Sequence, residues 1–163
     1  MEAMHRLIVM RHAKAGELPG GPDYDRALTS RGERNAAAAG AWLAASGFRP
    51  DAVLCSAAVR TRQTWDGVAG VLGGDADVTA EQRLYEADSA ELAEVIRQTS
   101  TGVGTLLYVG HNPAAAELVG LIAGTEPEFP TAAIAVIDVP GEWATLSAGS
   151  GELIASWVPR SRQ

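Results

Sequence analysis

The sequence predicts an α/β fold, with a mostly parallel sheet flanked by helices and antiparallel strands toward one edge. Two observations predict it. Through the first two thirds of the chain, short apolar runs alternate with helical patterns. In the last third, strand-like runs follow one another directly, joined by short Gly-containing turns. A third observation concerns function: three of the early apolar runs each end on residues that carry chemistry. In open α/β sheets ligands bind at the C-terminal edge of the strands.

The elements follow in order. Arg6–Met10 is an apolar strand that delivers Arg11 and His12. Pro19 and Pro22, with the glycines between them, mark a loop. Ser30 to Glu33 has capping-box spacing, and an Ala-rich helix through Trp42 and Leu43 ends at Gly47. Asp51–Ser56 is a buried strand, followed by a helix from Arg60 to about Leu72. Asp88 and Ser89 cap a helix holding Leu92, Val95 and Ile96. Thr105–Val109 is an apolar strand ending on Gly110, His111 and Asn112, and Pro113 starts a helix through Ile122. Ala133–Ile137, Trp143–Leu146 and Leu153–Trp157 read as the closing strands.

Composition sets the bounds. A chain of 163 residues fits one domain, spanning 1–163, and 47% hydrophobic residues suffice for a full core. No apolar stretch approaches the ~20 residues of a membrane helix, and no leader pattern opens the chain. The single cysteine, Cys55, permits no intrachain disulfide, which fits a reducing compartment; a cytoplasmic protein is expected. A net charge of −7 argues against nucleic acid as a partner. It leaves an anionic substrate open, because a few local cations dominate one pocket.

The candidate site is the shared rim. Arg reads phosphate oxygens through its planar fork, and a neutral His is a nucleophile. The strand ends supply Arg11 with His12, Ser56 with Arg60 four residues on, and His111. Two Arg and two His on one rim suit a phosphoryl group. The three His are not spaced as a metal-ligand set and Cys55 has no partner, so neither a metal nor another cofactor is expected.

At these residues the chain resembles the histidine phosphatase superfamily, with its phosphoglycerate-mutase-like three-layer fold, and within it the SixA-type phosphohistidine phosphatases. The matching blocks are Arg11-His12-Ala13-Lys14, Asp25-Arg26-Ala27-Leu28-Thr29 with Gly32, Ser56 to Thr64, Val109 to Pro113, and Pro130 to Ala133. The resemblance implies that His12 is the nucleophile that becomes phosphorylated, and that Arg11, Arg60 and His111 hold the non-bridging oxygens. Glu86 falls where related enzymes place a proton-donating carboxylate or its neighbour; pairing with an Arg or facing solvent is the other reading. The implied activity is a metal-independent phosphatase acting on phosphohistidine in a protein. A broad small-molecule or nucleotide phosphatase, with small phosphate esters as substrates, is the second reading. A phosphate-sensing or phosphoprotein-binding module without turnover is the third. The stretch from Glu86 to His111 is too short for the substrate-enclosing insertion of phosphoglycerate mutases.

Other residues carry open readings. Lys14 either widens the anion site or is solvated. Asp25 and Arg26 either organise the loop over the site or merely pair. Asn112 orients either His111 or the backbone. His5 is expected on the surface, and Trp42, Trp65, Trp143 and Trp157 in the core or covering the sheet. The loop from Ala13 to Thr29 is too short for a deep lid, so an open, shallow pocket is expected.

Overall fold

A computed structural model describes residues 4–160. Six strands, β1 (Met4–Arg11), β2 (Ala52–Ser56), β3 (Asp77–Glu81), β4 (Thr105–Gly110), β5 (Ile134–Pro140) and β6 (Glu152–Trp157), form one sheet in the order β3-β2-β4-β1-β5-β6. The pairs β3–β2, β2–β4 and β4–β1 are parallel, whereas β5 runs antiparallel to β1 and β6 antiparallel to β5. Four helices cover the sheet: α1 (Ser30–Ser46), α2 (Val59–Leu72), α3 (Ser89–Arg97) and α4 (Ala114–Ala123).

The alternation of side chains along a strand explains the layers. Leu7 and Val9 of β1 join Leu106 and Tyr108 of β4 in a core under α3 and α4. Ile8 and Met10 point the other way, with Val53, Cys55, Leu107 and Val109, into a second core under α1 and α2. Strands buried on both faces read as continuous apolar runs, and β1 and β4 are such runs. The observed architecture is therefore the expected three-layer, mostly parallel sheet with antiparallel strands at one edge.

Four local expectations are corrected. Thr29, not Ser30, caps α1: its hydroxyl oxygen accepts from the Gly32 N–H at 3.0 Å. Its own N–H is tied to the Lys14 carbonyl at 3.0 Å, which sets the helix start one residue earlier. Trp143–Leu146 is not a strand. Trp143–Thr145 is a single 3-10 turn, because the fully buried Trp143 plugs the core and donates its indole N–H to the Val103 carbonyl at 2.8 Å. β3 was not anticipated; it is an exposed edge strand whose polar residues hide the strand pattern. His5 is buried, with Nδ1 donating to the Gly141 carbonyl and its ring 5.0 Å from that of Trp143.

Other features hold. Asp88 caps α3 in a full capping box with Glu91. Trp143 lies in the core, while Trp42, Trp65 and Trp157 pack partly buried against the second core. Among the described residues, no helix is long and apolar enough to cross a membrane.

Helices α1 and α2 approach closely because small residues face each other. A Cβ on Gly40 would lie 2.7 Å from the Val68 carbonyl oxygen, and one on Gly67 would lie 2.7 Å from the Ala36 Cβ. Gly70, on the same α2, has nothing within 4 Å. Gly40→Ala is therefore expected to destabilise by about 1–3 kcal/mol through overpacking. Gly70→Ala is expected to stabilise by about 0.5–1 kcal/mol through helix propensity. Denaturant titration of the two variants checks this, and equal shifts of the same sign would contradict the close helix contact.

Candidate active site

The sheet order brings the predicted residues together. Strand β4 lies between β1 and β2, so the C-terminal ends of all three are neighbours. Arg11 pairs with Gly110 in the β1–β4 register, and the His12 N–H donates to the Gly110 carbonyl at 2.9 Å. His12 and His111 thereby stand side by side, with ring centroids 5.5 Å apart. Arg60 enters from the first turn of α2, just past β2.

His12 is only 7% exposed. Its Nδ1 lies 2.7 Å from the Ala13 carbonyl oxygen. A carbonyl only accepts, so Nδ1 carries the proton and Nε2 keeps a free lone pair. Burial is the main cause that pushes the His12 imidazole down to about 3; the Ala13 bond opposes it, and His111, Arg60 and Arg11 add to it. His111 is pushed down to about 4, again mainly by burial and then by Arg60. Both rings are neutral at pH 7. Ala13 is held in turn: its N–H donates to the Thr64 hydroxyl of α2 at 2.9 Å, and Thr64 donates to the Arg60 carbonyl at 2.7 Å.

The cations are anchored at one end and free at the other. Arg11 donates Nη1 to the Phe129 carbonyl at 3.1 Å. Arg60 donates Nη1 to the Asp23 carbonyl at 2.9 Å and Nη2 to the Asp23 carboxylate at 3.0 Å. The Nε atoms of both arginines are buried without a partner. His111 shares a hydrogen bond with the Ser56 hydroxyl through Nε2 at 2.9 Å, and its Nδ1 is likewise buried and unpartnered. Burial, then repulsion from Arg60, lowers the proton affinity of Arg11. Buried polar atoms are ordinarily paired. Three such unpartnered nitrogens therefore gather around one histidine.

Glu86 is exposed and lines a groove of about 270 Å³ shared with His111, Asn112 and Pro113. Lys14 is exposed too. Asn112 bonds the backbone, donating to the Phe129 carbonyl at 2.9 Å and accepting from the Ala116 N–H at 3.3 Å. Arg26 does organise the loop, donating to Gly16 and to an acid, but that acid is Asp23 rather than Asp25. Tyr85 also belongs here: its hydroxyl donates to Asp23 at 2.6 Å and its ring lies edge-on to His111 at 5.6 Å. Sequence reasoning passed over Asp23 and Tyr85. An acid–arginine pair three apart directly after Pro22 was the available signal for Asp23; Tyr85 had none beyond standing next to Glu86. Cys55, one residue before Ser56, is buried, and burial pushes its thiol up to about 12. Among the described residues no group of three or more His, Cys, Asp or Glu could hold a metal ion.

Comparison with known proteins gives a consistent picture. The family model of the histidine phosphatase superfamily (branch 1) matches residues 7–100. An uncharacterized protein of Mycobacterium tuberculosis is 41% identical over 162 residues, covering 93% of this chain and 100% of the relative. A solved structure from Nakamurella multipartitia, assigned provisionally as the phosphohistidine phosphatase SixA, is 32% identical with a TM-score of 0.86, over 96% of this chain and 97% of that one. A structure of the protein histidine phosphatase SixA complexed with tungstate is 25% identical with a TM-score of 0.80, over 93% of this chain and 95% of that one.

The depressed histidines make stability depend on pH. An unfolded chain protonates His12 and His111 near 6.5, whereas the folded chain does so only near 3 and 4. The stability they carry is present above pH 6.5 and is lost as pH falls toward those values. Denaturation midpoints should therefore drop between pH 7 and pH 4.5. The His12→Asn, His111→Asn double variant should show a shallower drop, and an unchanged slope would mean that these rings are not buried neutral.

Proposed function

This chain belongs to the histidine phosphatase superfamily, with the SixA-type fold, and from that premise we propose that it dephosphorylates phosphohistidine on a partner protein. One observation carries the reading: a histidine with a free Nε2 lone pair sits among two arginine Nε donors and a histidine Nδ1, all buried and without partners. A phosphoryl group has three non-bridging oxygens; Arg11 Nε and Arg60 Nε are donors for two of them, and His111 Nδ1, in the tautomer whose Nε2 accepts from the Ser56 hydroxyl, is the donor for the third. The SixA structure bound to tungstate, a tetrahedral oxyanion, supports the same reading.

The proposed chemistry has two steps. His12 Nε2 attacks phosphorus, forming a P–N bond as the bond to the substrate's imidazole nitrogen breaks. The departing nitrogen takes a proton, with Glu86 as its proposed donor from the adjoining groove. Water then attacks the phosphohistidine and gives a proton to the Glu86 carboxylate, the P–Nε2 bond breaks, and inorganic phosphate leaves with His12 and Glu86 regenerated. Phosphoryl transfer requires positioning and charge stabilisation above all, which the two guanidiniums and His111 supply. The Nδ1–H bond to Ala13 stabilises the positive charge that develops on the ring during attack.

Two predictions test this. Enzyme quenched during turnover should carry a phosphate that is labile in acid and stable in base, and His12→Ala should abolish both the label and turnover; a label on Ser, Asp or Cys55 would refute the nucleophile. In a side-by-side panel, a phosphohistidine protein should show a higher kcat/KM than a phosphoserine peptide or phosphorylated metabolites, and Glu86→Gln should slow an alkyl phosphate more than a phosphoramidate. One metabolite used orders of magnitude better than any phosphoprotein would replace the substrate while leaving the chemistry.

The donors are tested separately. Arg60→Ala and His111→Ala should each cost on the order of 10²–10³ in rate, the scale of a lost charge-stabilising donor. Arg62 lies two positions on, roughly 200° around the helix, exposed and donating to the Ala57 carbonyl. Arg62→Ala should cost far less, and an equal loss at both positions would mean that Arg62 also serves the phosphoryl group.

A further inference from the structure

The carboxylate of Asp23 has no part in the chemistry above, yet it is tied into the site from several sides. Its Oδ2 accepts from Arg60 Nη2 at 3.0 Å and from the Tyr85 hydroxyl at 2.6 Å, and its Oδ1 accepts from Arg26 Nε at 2.9 Å. Its backbone carbonyl accepts from Arg60 Nη1 at 2.9 Å. The 3-10 turn that carries it, Asp23–Asp25, also sets the Tyr24 ring edge-on against Tyr85 at 5.0 Å. Tyr85 in turn lies against His111 at 5.6 Å and beneath the Arg60 guanidinium at 6.0 Å.

We infer that Asp23 is a positioning residue for Arg60, a role that rests on the phosphatase reading above. The guanidinium is planar and rigid, so fixing one edge fixes the others. Asp23 takes both terminal nitrogens, and the edge that carries Nε is left unpartnered. That is the edge the proposed mechanism assigns to a phosphoryl oxygen. The Asp23 side chain is 52% exposed, whereas that of Arg60 is 7% exposed. An ion pair with one partner in water contributes little to folding, so removing the carboxylate should leave the fold standing and disturb the chemistry.

A double-mutant cycle tests this, with Asp23→Ala, Arg60→Ala and the pair together. The readouts are kcat and KM on a nitrophenyl phosphate and the affinity for inorganic phosphate by calorimetry. Asp23→Ala should lower kcat/KM by about 10- to 100-fold, the scale of a small misplacement, with the larger share in kcat. Asp23→Asn, which keeps an acceptor, should recover part of it. In the Arg60→Ala background, removing Asp23 should cost less than about twofold, because its effect passes through Arg60. A full additive loss in that background would overturn the inference. So would tighter phosphate binding by Asp23→Ala, which would make the carboxylate a competitor of phosphate. A wild type that neither binds phosphate nor turns over would sink the phosphatase reading and this inference together; an active wild type with additive losses would sink this inference alone.

Discussion

The site depends on one feature of the backbone, the insertion of β4 between β1 and β2. The parallel ladder sets Arg11 level with Gly110 and Cys55 level with Val109. The next bond beyond the β1–β4 ladder, from the His12 N–H to the Gly110 carbonyl, seats one imidazole next to the other. Gly110 has no room for a side chain: a Cβ there would fall 1.7 Å from the Tyr108 hydroxyl. The buried tyrosine thus fills the space beneath the turn that carries His111, and the strand end is fixed from below as well as from the side.

The arrangement carries an electrostatic cost. Two guanidiniums and two imidazoles share a region where water is largely excluded, and unpaired buried donors are expensive. The protein relieves part of this by keeping both imidazoles neutral and by giving the arginines protein acceptors, the Phe129 carbonyl for Arg11 and the carbonyl and carboxylate of Asp23 for Arg60. The remaining donors stay unpaired and already in place. Groups held ready for a charge need no reorganisation when it arrives. Backbone geometry shows similar tension. Ala132 adopts a left-handed φ of 67°, unusual for a residue with a Cβ, while its N–H donates to the His12 carbonyl at 2.9 Å.

Much of this was legible in the sequence, and the reasons are physical. β1 and β4 are buried on both faces, so they stand out as apolar runs, and their chemistry follows directly at their ends. The neighbouring positions of Arg11, His12, Arg60 and His111 then follow from an α/β topology. β3 escaped because an exposed edge strand has no buried face to impose a pattern. Trp143 misled because a buried aromatic within a short apolar run looks like a strand, whereas here it folds back as a plug. His5 was misjudged since a polar type at a strand start reads as exposed until its acceptor, 136 residues away, is known. Asp23 was hidden for the same reason: its partners Arg60 and Tyr85 lie 37 and 62 residues further on.

Cys55 gives the arrangement a different kind of consequence. It sits beside Ser56 at the end of β2, one residue from the rim, yet it is buried against α2 with its thiol pushed up to about 12. Oxidants and alkylating agents attack thiolates, and this sulfur is neither ionised nor reachable. The nucleophile proposed at the rim is an imidazole, which does not climb the sulfur oxidation ladder. The chemistry proposed for this strand edge therefore comes without a redox liability, because the one sulfur beside it offers peroxide no thiolate.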